Sequence, residues 1–234
     1  MENQEHPSFK RRLIAAKPPQ LSWEAYQEKN RAYYRDIEIY DWTATADRLY
    51  LPESWLHKYR EWWLVRLLRP YLKSSPRALD IGCGTGLILR HLPPGSIGLD
   101  INPRNLERLP KYAPKAVGRW CDLEQGVPYP DSSFDLVVAA EVLEHLIYPE
   151  QVVSEVYRVL GPDGVFVGSV PLDSPFWRFR FLSLTYHSTT KHYESLEPFH
   201  NELRVGELRE LLATKFGRIK LYPALTNIFF VAHK

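Results

Sequence analysis

A chain of 234 residues, 44% hydrophobic and 25% charged, is long enough for one well-buried domain and has the composition of an ordinary globular protein. Its net charge of +2 gives no reason to expect a nucleic acid as partner, and no apolar run approaches the roughly 18 residues of a membrane helix. The two cysteines, Cys83 and Cys121, form neither a disulfide framework nor a metal-ligand cluster. Because the first residues are polar and unlike a signal peptide, we expect a cytoplasmic protein without a membrane span.

The first third of the chain is basic and then aromatic. Residues 1–22 carry Lys10-Arg11-Arg12 and several prolines, which predicts a flexible N-terminal arm. Over residues 54–72, apolar residues recur at helical spacing with charged residues on the other face, so we expect a helix whose rings pack against a sheet. The earlier Tyr33 and Tyr34 either pack in the same way or line a substrate pocket.

The central feature is a glycine-rich turn after a short apolar strand. Residues 78–81 predict a buried strand, which is followed by glycines at alternate positions, Gly82, Gly84 and Gly86. Residues 87–92 then suit a helix. A strand that turns through glycines brings backbone N–H groups close to a ligand, because glycine accepts a positive φ and has no Cβ to hold the ligand away.

Strands and helices alternate after this turn. Four further strands are predicted over residues 96–101, 116–121, 134–140 and 165–170, with helices over 103–109 and 149–160. A helix over 202–216 and two antiparallel edge strands, joined by a tight turn around Pro223, close the chain. This alternation predicts a mostly parallel sheet covered on both faces, which binds ligands beyond the carboxyl ends of its strands.

Acidic residues follow four of these strands. Asp80, Asp100 and Asp122 end or follow the first three, where carboxylates can accept hydrogen bonds from hydroxyl and amino groups. Glu141 and His145 are predicted to open a helix after the fourth strand, one turn apart and on one face. Any one of these carboxylates alone is compatible with a helix cap. Four of them, each at or after the end of a strand and accompanied by a glycine turn, indicate a binding site.

Taken together, these motifs resemble the class I S-adenosylmethionine-dependent methyltransferases, in the branch typified by quinone-biosynthesis and other small-molecule enzymes. The resemblance covers residues 77–171 densely and implies a seven-stranded, Rossmann-like, doubly wound α/β sheet with an antiparallel C-terminal hairpin. The motifs that carry it are Ala78-Leu79-Asp80-Ile81-Gly82-Cys83-Gly84-Thr85-Gly86, Gly98-Leu99-Asp100, Cys121-Asp122-Leu123, Phe134-Asp135-Leu136-Val137-Val138, Glu141-Val142-Leu143-Glu144-His145-Leu146 and Arg158-Val159-Leu160-Gly161-Pro162-Asp163-Gly164.

The resemblance implies S-adenosylmethionine as cofactor, with S-adenosylhomocysteine as product. By it, the glycine turn passes under the methionine and ribose, Asp80 orients the amino-acid end and Asp100 holds the ribose hydroxyls. Asp122 meets the adenine amine, and Glu141 lines the methionine side. The predicted cofactor-binding residues are Asp80, Gly82, Cys83, Gly84, Gly86, Asp100, Ile101, Asp122, Leu123 and Glu141.

Methyl transfer to oxygen requires a group that removes the acceptor's proton, and histidine suits this role. His145 and His200 are the predicted catalytic residues, each with the alternative of a structural histidine. No metal site is predicted, since the histidine spacing matches no standard signature. Aromatic rings predict a small, fairly apolar acceptor, and we expect it to be lined by Tyr33, Tyr34, Trp177, His187 and His192.

Other readings remain open. Ala140-Glu141-Val142-Leu143 stands where amino-methylating DNA and protein enzymes carry Asn/Asp-Pro-Pro-Tyr/Phe, which disfavours those substrates. Nitrogen or carbon methylation of a small molecule is the alternative within the class. A catalytically silent cofactor-binding module is a second alternative. A nicotinamide oxidoreductase is disfavoured, because the glycine spacing is not Gly-x-Gly-x-x-Gly.

The resulting organisation is one methyltransferase domain over residues 23–234. It comprises a helical cap over 23–75, a cofactor-binding core over 76–170, a lid insertion over 171–202, and a closing helix and hairpin over 203–234. Either a monomer or a homodimer is compatible with the sequence. Cys83 and Cys121 are expected to border the cofactor, which predicts that thiol modification weakens its binding.

Overall fold

The computed structural model describes residues 22–36, 41–48, 52–172 and 203–234. Nearly all of the predicted N-terminal arm lies outside the described residues. So does the predicted lid insertion beyond Leu172, and with it the predicted site residues Trp177, His187, His192 and His200.

Seven strands form one sheet in the order β3-β2-β1-β4-β5-β7-β6. The first five are parallel, whereas β7 runs antiparallel to both β5 and β6. This confirms the predicted mixed α/β sheet with an antiparallel C-terminal hairpin. The strands are β1 (Ala78–Ile81), β2 (Ile97–Asp100), β3 (Val117–Trp120), β4 (Phe134–Ala140), β5 (Leu160–Pro171), β6 (Arg218–Ala224) and β7 (Asn227–His233).

Helices cover both faces of the sheet. Leucines of α3 and α4 pack with Leu136 and Val138 on one face, and apolar residues of α5 and α6 pack with Leu79 and Val137 on the other. Such two-sided burial is what makes parallel strands continuously apolar. The helices are α1 (Trp23–Asp36), α2 (Trp42–Asp47), α3 (Pro52–Leu72), α4 (Pro103–Tyr112), α5 (Pro149–Val159) and α6 (Val205–Ala213).

Strand β1 lies at the point where the chain's winding reverses. Leu79 pairs with Ile97 of β2 on one side and with Val137 of β4 on the other. The crossover helices on the two sides of β1, α4 and α5, therefore lie on opposite faces of the sheet, which opens a crevice beyond the carboxyl end of β1. The glycine turn lies in that crevice.

The predictions for residues 87–92 and for the turn of the closing hairpin were wrong. Residues 87–92 do not form an α-helix but turns and a single 3-10 turn at Leu89–His91. Only six residues separate Gly86 from Pro93, and the residue before a proline disfavours helical geometry. The turn of the closing hairpin lies at Leu225, where φ is 47°, whereas Pro223 is part of β6 opposite Ile228.

The prediction for α3 was half right. The Trp63 ring stacks on Phe229 at 5.4 Å between centroids, and Leu64 and Leu68 are fully buried. Trp55 and Trp62, in contrast, are 68% and 54% exposed, so they do not pack against the sheet. In the part of the chain that the structure describes, no helix combines the length and the apolar character needed to cross a membrane.

Candidate functional site

The glycine turn is held in a conformation that side chains would obstruct. Gly82 and Gly84 have φ of +63° and +54°, in the left-handed region that favours glycine. A Cβ on Gly82 would lie 2.5 Å from Val142 Cγ2, so this position is closely packed. A Cβ on Gly84 would meet no atom of the described residues within 4 Å, so these residues leave open space in front of the turn. A ligand can therefore approach the backbone there.

Helix α2 braces the turn from the side. Thr85 Oγ1 lies 2.8 Å from Thr43 Oγ1 and 3.3 Å from Asp41 Oδ1. Asp41 also caps α2 by accepting from the Ala44 N–H, and it accepts from the Tyr112 hydroxyl at 2.6 Å. Threonine at position 85 thus ties the turn to the helical cap.

Asp80 is a buried carboxylate at the end of β1. It is 2% exposed, and the Leu89 N–H donates to it. Its Oδ1 is buried without a hydrogen-bond partner among the described residues. Burial raises the pKa of Asp80 well above its ordinary value, and the nearby charge of Asp100 raises it further.

Asp100, at the end of β2, is tied to the same turn. Its Oδ2 accepts from the Gly84 N–H at 2.8 Å, and its Oδ1 accepts from Asn102 N at 2.8 Å and Asn105 Nδ2 at 3.1 Å. Burial raises the pKa of Asp100, while these three donors act against that increase. The two strand-end carboxylates therefore face the glycine turn together, as the sequence predicts.

Both cysteines are buried next to predicted cofactor residues. Cys83 lies within the turn, and a Cβ on Gly98 would come within 2.7 Å of its Sγ. Burial, followed by the charges of Asp100 and Asp80, raises the pKa of Cys83. Burial also raises the pKa of Cys121 to about 11. Both thiols are thus protonated and poorly reactive at neutral pH.

Asp122 follows β3 and is joined to its neighbour in the sheet, since the Cys121 N–H donates to the Asp100 carbonyl at 3.0 Å. Its Oδ1 accepts from the Glu124 N–H and so caps the short 3-10 turn at Leu123–Gln125. Its Oδ2 forms an ion pair with Arg31 of α1. Asp122 is therefore near the carboxyl ends of the strands, but it already has a cation as partner.

Helix α1 crosses the carboxyl ends of the strands, which sequence reasoning missed. Gln27 donates to Glu124 at 3.2 Å, Asn30 donates to the His145 carbonyl at 2.9 Å, and the Tyr34 hydroxyl lies 2.7 Å from His145 Nδ1. Together with Arg31, these residues fall at i, i+3, i+4 and i+7, which places them on one polar face of the helix. That polar stripe in an aromatic-rich segment was the available signal.

Glu141 has a different environment from the one the sequence suggested. It adopts φ of +57°, and its carboxylate accepts from Ser169 Oγ at 2.6 Å and from Asn227 Nδ2 at 2.9 Å. Arg60 Nη1 lies 3.4 Å from its Oε2. Left-handed backbone at Glu141 prevents an α-helix from starting there, so a 3-10 turn at Leu143–His145 replaces the predicted helix.

Glu141 and His145 consequently do not share a helix face. Glu141 contacts β5, β7 and α3, whereas His145 contacts α1. Tyr33 packs edge-on against Tyr34 with centroids 5.0 Å apart, so it lies next to the His145 side of the edge. The structure thus brings Asp80, Asp100 and the glycines together, and gives Glu141 and His145 different neighbours.

The remaining predicted cofactor residues lie on the same edge. Leu123 is buried at the start of its 3-10 turn, and the half-buried Ile101 accepts from Trp120 Nε1 through its carbonyl at 2.8 Å. Among the described residues, no group of three histidine, cysteine or acidic side chains is arranged to hold a metal ion.

Comparison with known proteins identifies sequences that are similar to this chain. Residues 79–168 match the family model described as a methyltransferase domain. A probable S-adenosylmethionine-dependent methyltransferase of Mycolicibacterium smegmatis is 35% identical over 140 residues, which cover 58% of this chain and 49% of that protein. A rice 2-methyl-6-phytyl-1,4-hydroquinone methyltransferase (Oryza sativa subsp. japonica, chloroplastic) is 32% identical over 183 residues, covering 74% and 50%. The matched regions thus span about half the length of these two relatives.

The fold also resembles that of a solved methyltransferase. A solved S-adenosylmethionine-dependent methyltransferase from Mesorhizobium loti superposes with a TM-score of 0.58 at 18% identity, covering 75% of this chain and 98% of that one. That likeness concerns the fold alone, whereas the family model spans the glycine turn and the strand ends that carry Asp80, Asp100 and Asp122. The chain therefore carries, over residues 79–168, a methyltransferase domain similar to that of S-adenosylmethionine-dependent enzymes.

Proposed function

We propose that this chain transfers a methyl group from S-adenosylmethionine to an oxygen atom of a small, fairly apolar acceptor. One observation carries the proposal: Asp80 and Asp100 are both buried beside the glycine turn, and neither forms an ion pair with a described cationic side chain. Burying carboxylates without a cation is costly unless a ligand uses them.

The residues fit this cofactor. S-adenosylmethionine carries an ammonium and a sulfonium charge, two ribose hydroxyls and an adenine amine. The buried Asp80 Oδ1 lacks a described partner and suits the ammonium, and the open space at Gly84 admits the ligand to the backbone. Asp100 would hold the ribose hydroxyls, and Asp122 the adenine amine. Cys83, Ile101 and Leu123 would line the cofactor, and Glu141 would line its methionine side.

When bound, S-adenosylmethionine supplies an activated methyl group for in-line displacement. The chain's part is to align the acceptor and take up its proton, and alignment alone can supply several kcal/mol. We assign the proton to Nε2 of His145. In the tautomer whose Nδ1–H donates to the Tyr34 hydroxyl, Nε2 carries the free lone pair, and Glu144 Oε1, 3.7 Å from Nε2, would stabilise the imidazolium that forms. His200 is a second candidate outside the described residues.

The acceptor assignment rests on the aromatic character of the edge. Tyr33 and Tyr34 lie next to His145, and Trp177, His187 and His192 are proposed to complete the pocket from outside the described residues. The name of the rice relative, a hydroquinone methyltransferase, supports an acceptor with an apolar body. Nitrogen or carbon methylation remains the alternative chemistry, and a silent cofactor-binding module the alternative function.

Labelled methyl transfer tests the proposal. The full chain is incubated with methyl-labelled S-adenosylmethionine and a panel of phenols, hydroxy acids and amines, and the methylated atom is identified by mass spectrometry and NMR. We expect oxygen methylation, with His145→Asn lowering kcat about 100-fold or more and leaving cofactor affinity unchanged. His91→Asn, whose ring contacts Glu61 instead, is the matched control. A product methylated on nitrogen or carbon contradicts the oxygen assignment.

A further inference from the structure

The outer surface of α3 carries two tryptophans and a row of cations. Trp55, Trp62, Arg66 and Arg69 fall at i, i+7, i+11 and i+14, which places them within an arc of about 60° on a helix of 3.6 residues per turn. Lys73 follows the helix directly. All five residues are exposed, and we call this set the outer stripe.

The exposure of the two indoles is not a by-product of poor packing. The opposite face of α3 is well packed, since Leu64 and Leu68 are fully buried and Trp63 stacks on Phe229. Trp62 lies under the Arg66 guanidinium, whose Cζ is 5.6 Å from the ring centroid. Trp62, Val65, Arg66 and Arg69 also line a shallow groove. A large apolar surface that stays exposed beside a well-packed core marks an interaction site.

The charges of the outer stripe have one sign. Arg66, Arg69 and Lys73 are cationic. Among the described side chains of α3, Glu61 is the acidic one, and it is buried against Arg90 and His91. Tryptophan favours the headgroup region of a bilayer, and clustered arginine and lysine are attracted to anionic lipids. A helix with both on its outer surface suits contact in the plane of the membrane.

We propose that the outer stripe docks this domain on an anionic lipid surface, without any part of α3 crossing it. The proposal is independent of methyl transfer, because it uses no residue of the candidate site. It would still bring that site near lipid, since Arg60 on the same helix contacts Glu141 at the carboxyl edge of the sheet.

Vesicle co-sedimentation tests this docking. The full chain is mixed with vesicles of phosphatidylcholine containing about one third phosphatidylglycerol, a composition that gives an anionic surface, and with pure phosphatidylcholine vesicles. The stripe variants are W55S/W62S and R66E/R69E. Two matched controls remove an exposed tryptophan or reverse two exposed cations elsewhere: W120S and K115E/K220E. Thermal unfolding verifies that each variant is folded.

We expect binding to the anionic vesicles only, with each stripe variant weakening it about tenfold or more and each control leaving it within about twofold. Equal losses in K115E/K220E and R66E/R69E would overturn the proposal, because they would show a general charge effect. Absence of vesicle binding by the folded wild type would overturn it as well. So would a dimer in light scattering that W55S/W62S converts to monomer, since the stripe would then serve a second copy of the chain.

Discussion

Two buried acidic groups in this domain have opposite environments. Between α2, α3 and the 3-10 turn at Leu89–His91, Glu61 contacts Lys58 at 2.8 Å, Arg90 at 3.0 Å and His91 at 2.7 Å. Asp47, whose side chain is 44% exposed, borders this buried cluster and contacts Lys58 and Arg90 at 3.0 and 2.9 Å. At the carboxyl edge, Asp80 and Asp100 are equally buried, but their described partners are N–H groups and no cation.

The pKa values follow from these partners. Glu61 is desolvated, yet its hydrogen bonds to His91, Lys58 and Arg90 outweigh that effect and lower its pKa to about 2. For Asp80 and Asp100, burial dominates and raises the pKa. The first group therefore stabilises the fold as carboxylate, whereas the second lowers stability unless a ligand supplies positive charge. Their difference separates structural acids from functional acids within one domain.

The largest expected effect on stability comes from removing the charge of Glu61 from its cluster of cations. Glu61→Gln should lower the free energy of unfolding by about 2–3 kcal/mol at pH 7, because Arg90 and Lys58 lose a buried carboxylate. The folded pKa of Glu61 is depressed, so its contribution is present above the ordinary value of 4.5 and is lost as pH falls toward 2. The difference between variant and wild type should shrink over that range. Urea unfolding at several pH values measures it.

Asp135→Asn is the control for this change. Asp135 pairs with Arg77 on the surface, where their side chains are 48% and 60% exposed, so its loss should cost less than about 1 kcal/mol. Equal destabilisation by the two variants at pH 7 would contradict the distinction between buried and surface pairs.

Removing the charge of Asp80 should act in the opposite direction. Its folded pKa is raised, so the native state binds more protons than the unfolded state between the ordinary and the raised pKa, and stability falls as pH rises through that window. Asp80→Asn should therefore raise the free energy of unfolding of the ligand-free protein by about 1 kcal/mol at pH 7 and give no gain near pH 4. Thermal unfolding measures both.

The exposed Asp163→Asn is the matched variant, with an expected change within about 0.5 kcal/mol. Destabilisation by Asp80→Asn at pH 7 would show that the Asp80 carboxylate supports the fold, as Glu61 does.

The environment of Asp122 is intermediate between those of Glu61 and Asp80, because Asp122 lies at the carboxyl edge of the sheet but is paired with Arg31. Arg31→Gln should loosen α1 by about 1 kcal/mol, since it removes the ion pair with Asp122 and the contact with Glu28 at 2.7 Å. Hydrogen exchange of the α1 amides should become about fivefold faster. Unchanged exchange would mean that the remaining contacts of α1 are sufficient to hold it on the sheet. Arg35→Gln, at the exposed end of α1, is the control.

The smallest effect concerns the thiols. Because burial raises the pKa of Cys83 and brings that of Cys121 to about 11, both should react with iodoacetamide far more slowly in the native protein than in urea at pH 8. Mass spectrometry of timed samples measures the rates. Rapid native alkylation of Cys83 would indicate that the glycine turn opens readily; the prediction that modification weakens cofactor binding can then be tested on the same samples.

The sheet and its acidic strand ends were predictable because they are local. Apolar runs predict buried strands, and parallel strands necessarily bring Asp80 and Asp100 to one edge. What failed depends on geometry that periodicity does not encode: the left-handed backbone of Glu141, which redirects its side chain to Ser169 and Asn227, and the two prolines that shorten the turn after Gly86. The placement of α1 across the edge depends on tertiary contacts far apart in sequence, such as Arg31 with Asp122.

Calorimetric titration of the full chain with S-adenosylmethionine and S-adenosylhomocysteine, with NAD as control, tests the assignment of the carboxyl edge most directly. We predict micromolar binding of the first two and none of NAD. Asp100→Ala should weaken that binding by about 1–3 kcal/mol, the scale of a lost charged hydrogen bond, while Asp163→Asn leaves it unchanged. No binding by the folded wild type, or an unchanged dissociation constant for Asp100→Ala, would contradict a cofactor site formed by the buried carboxylates.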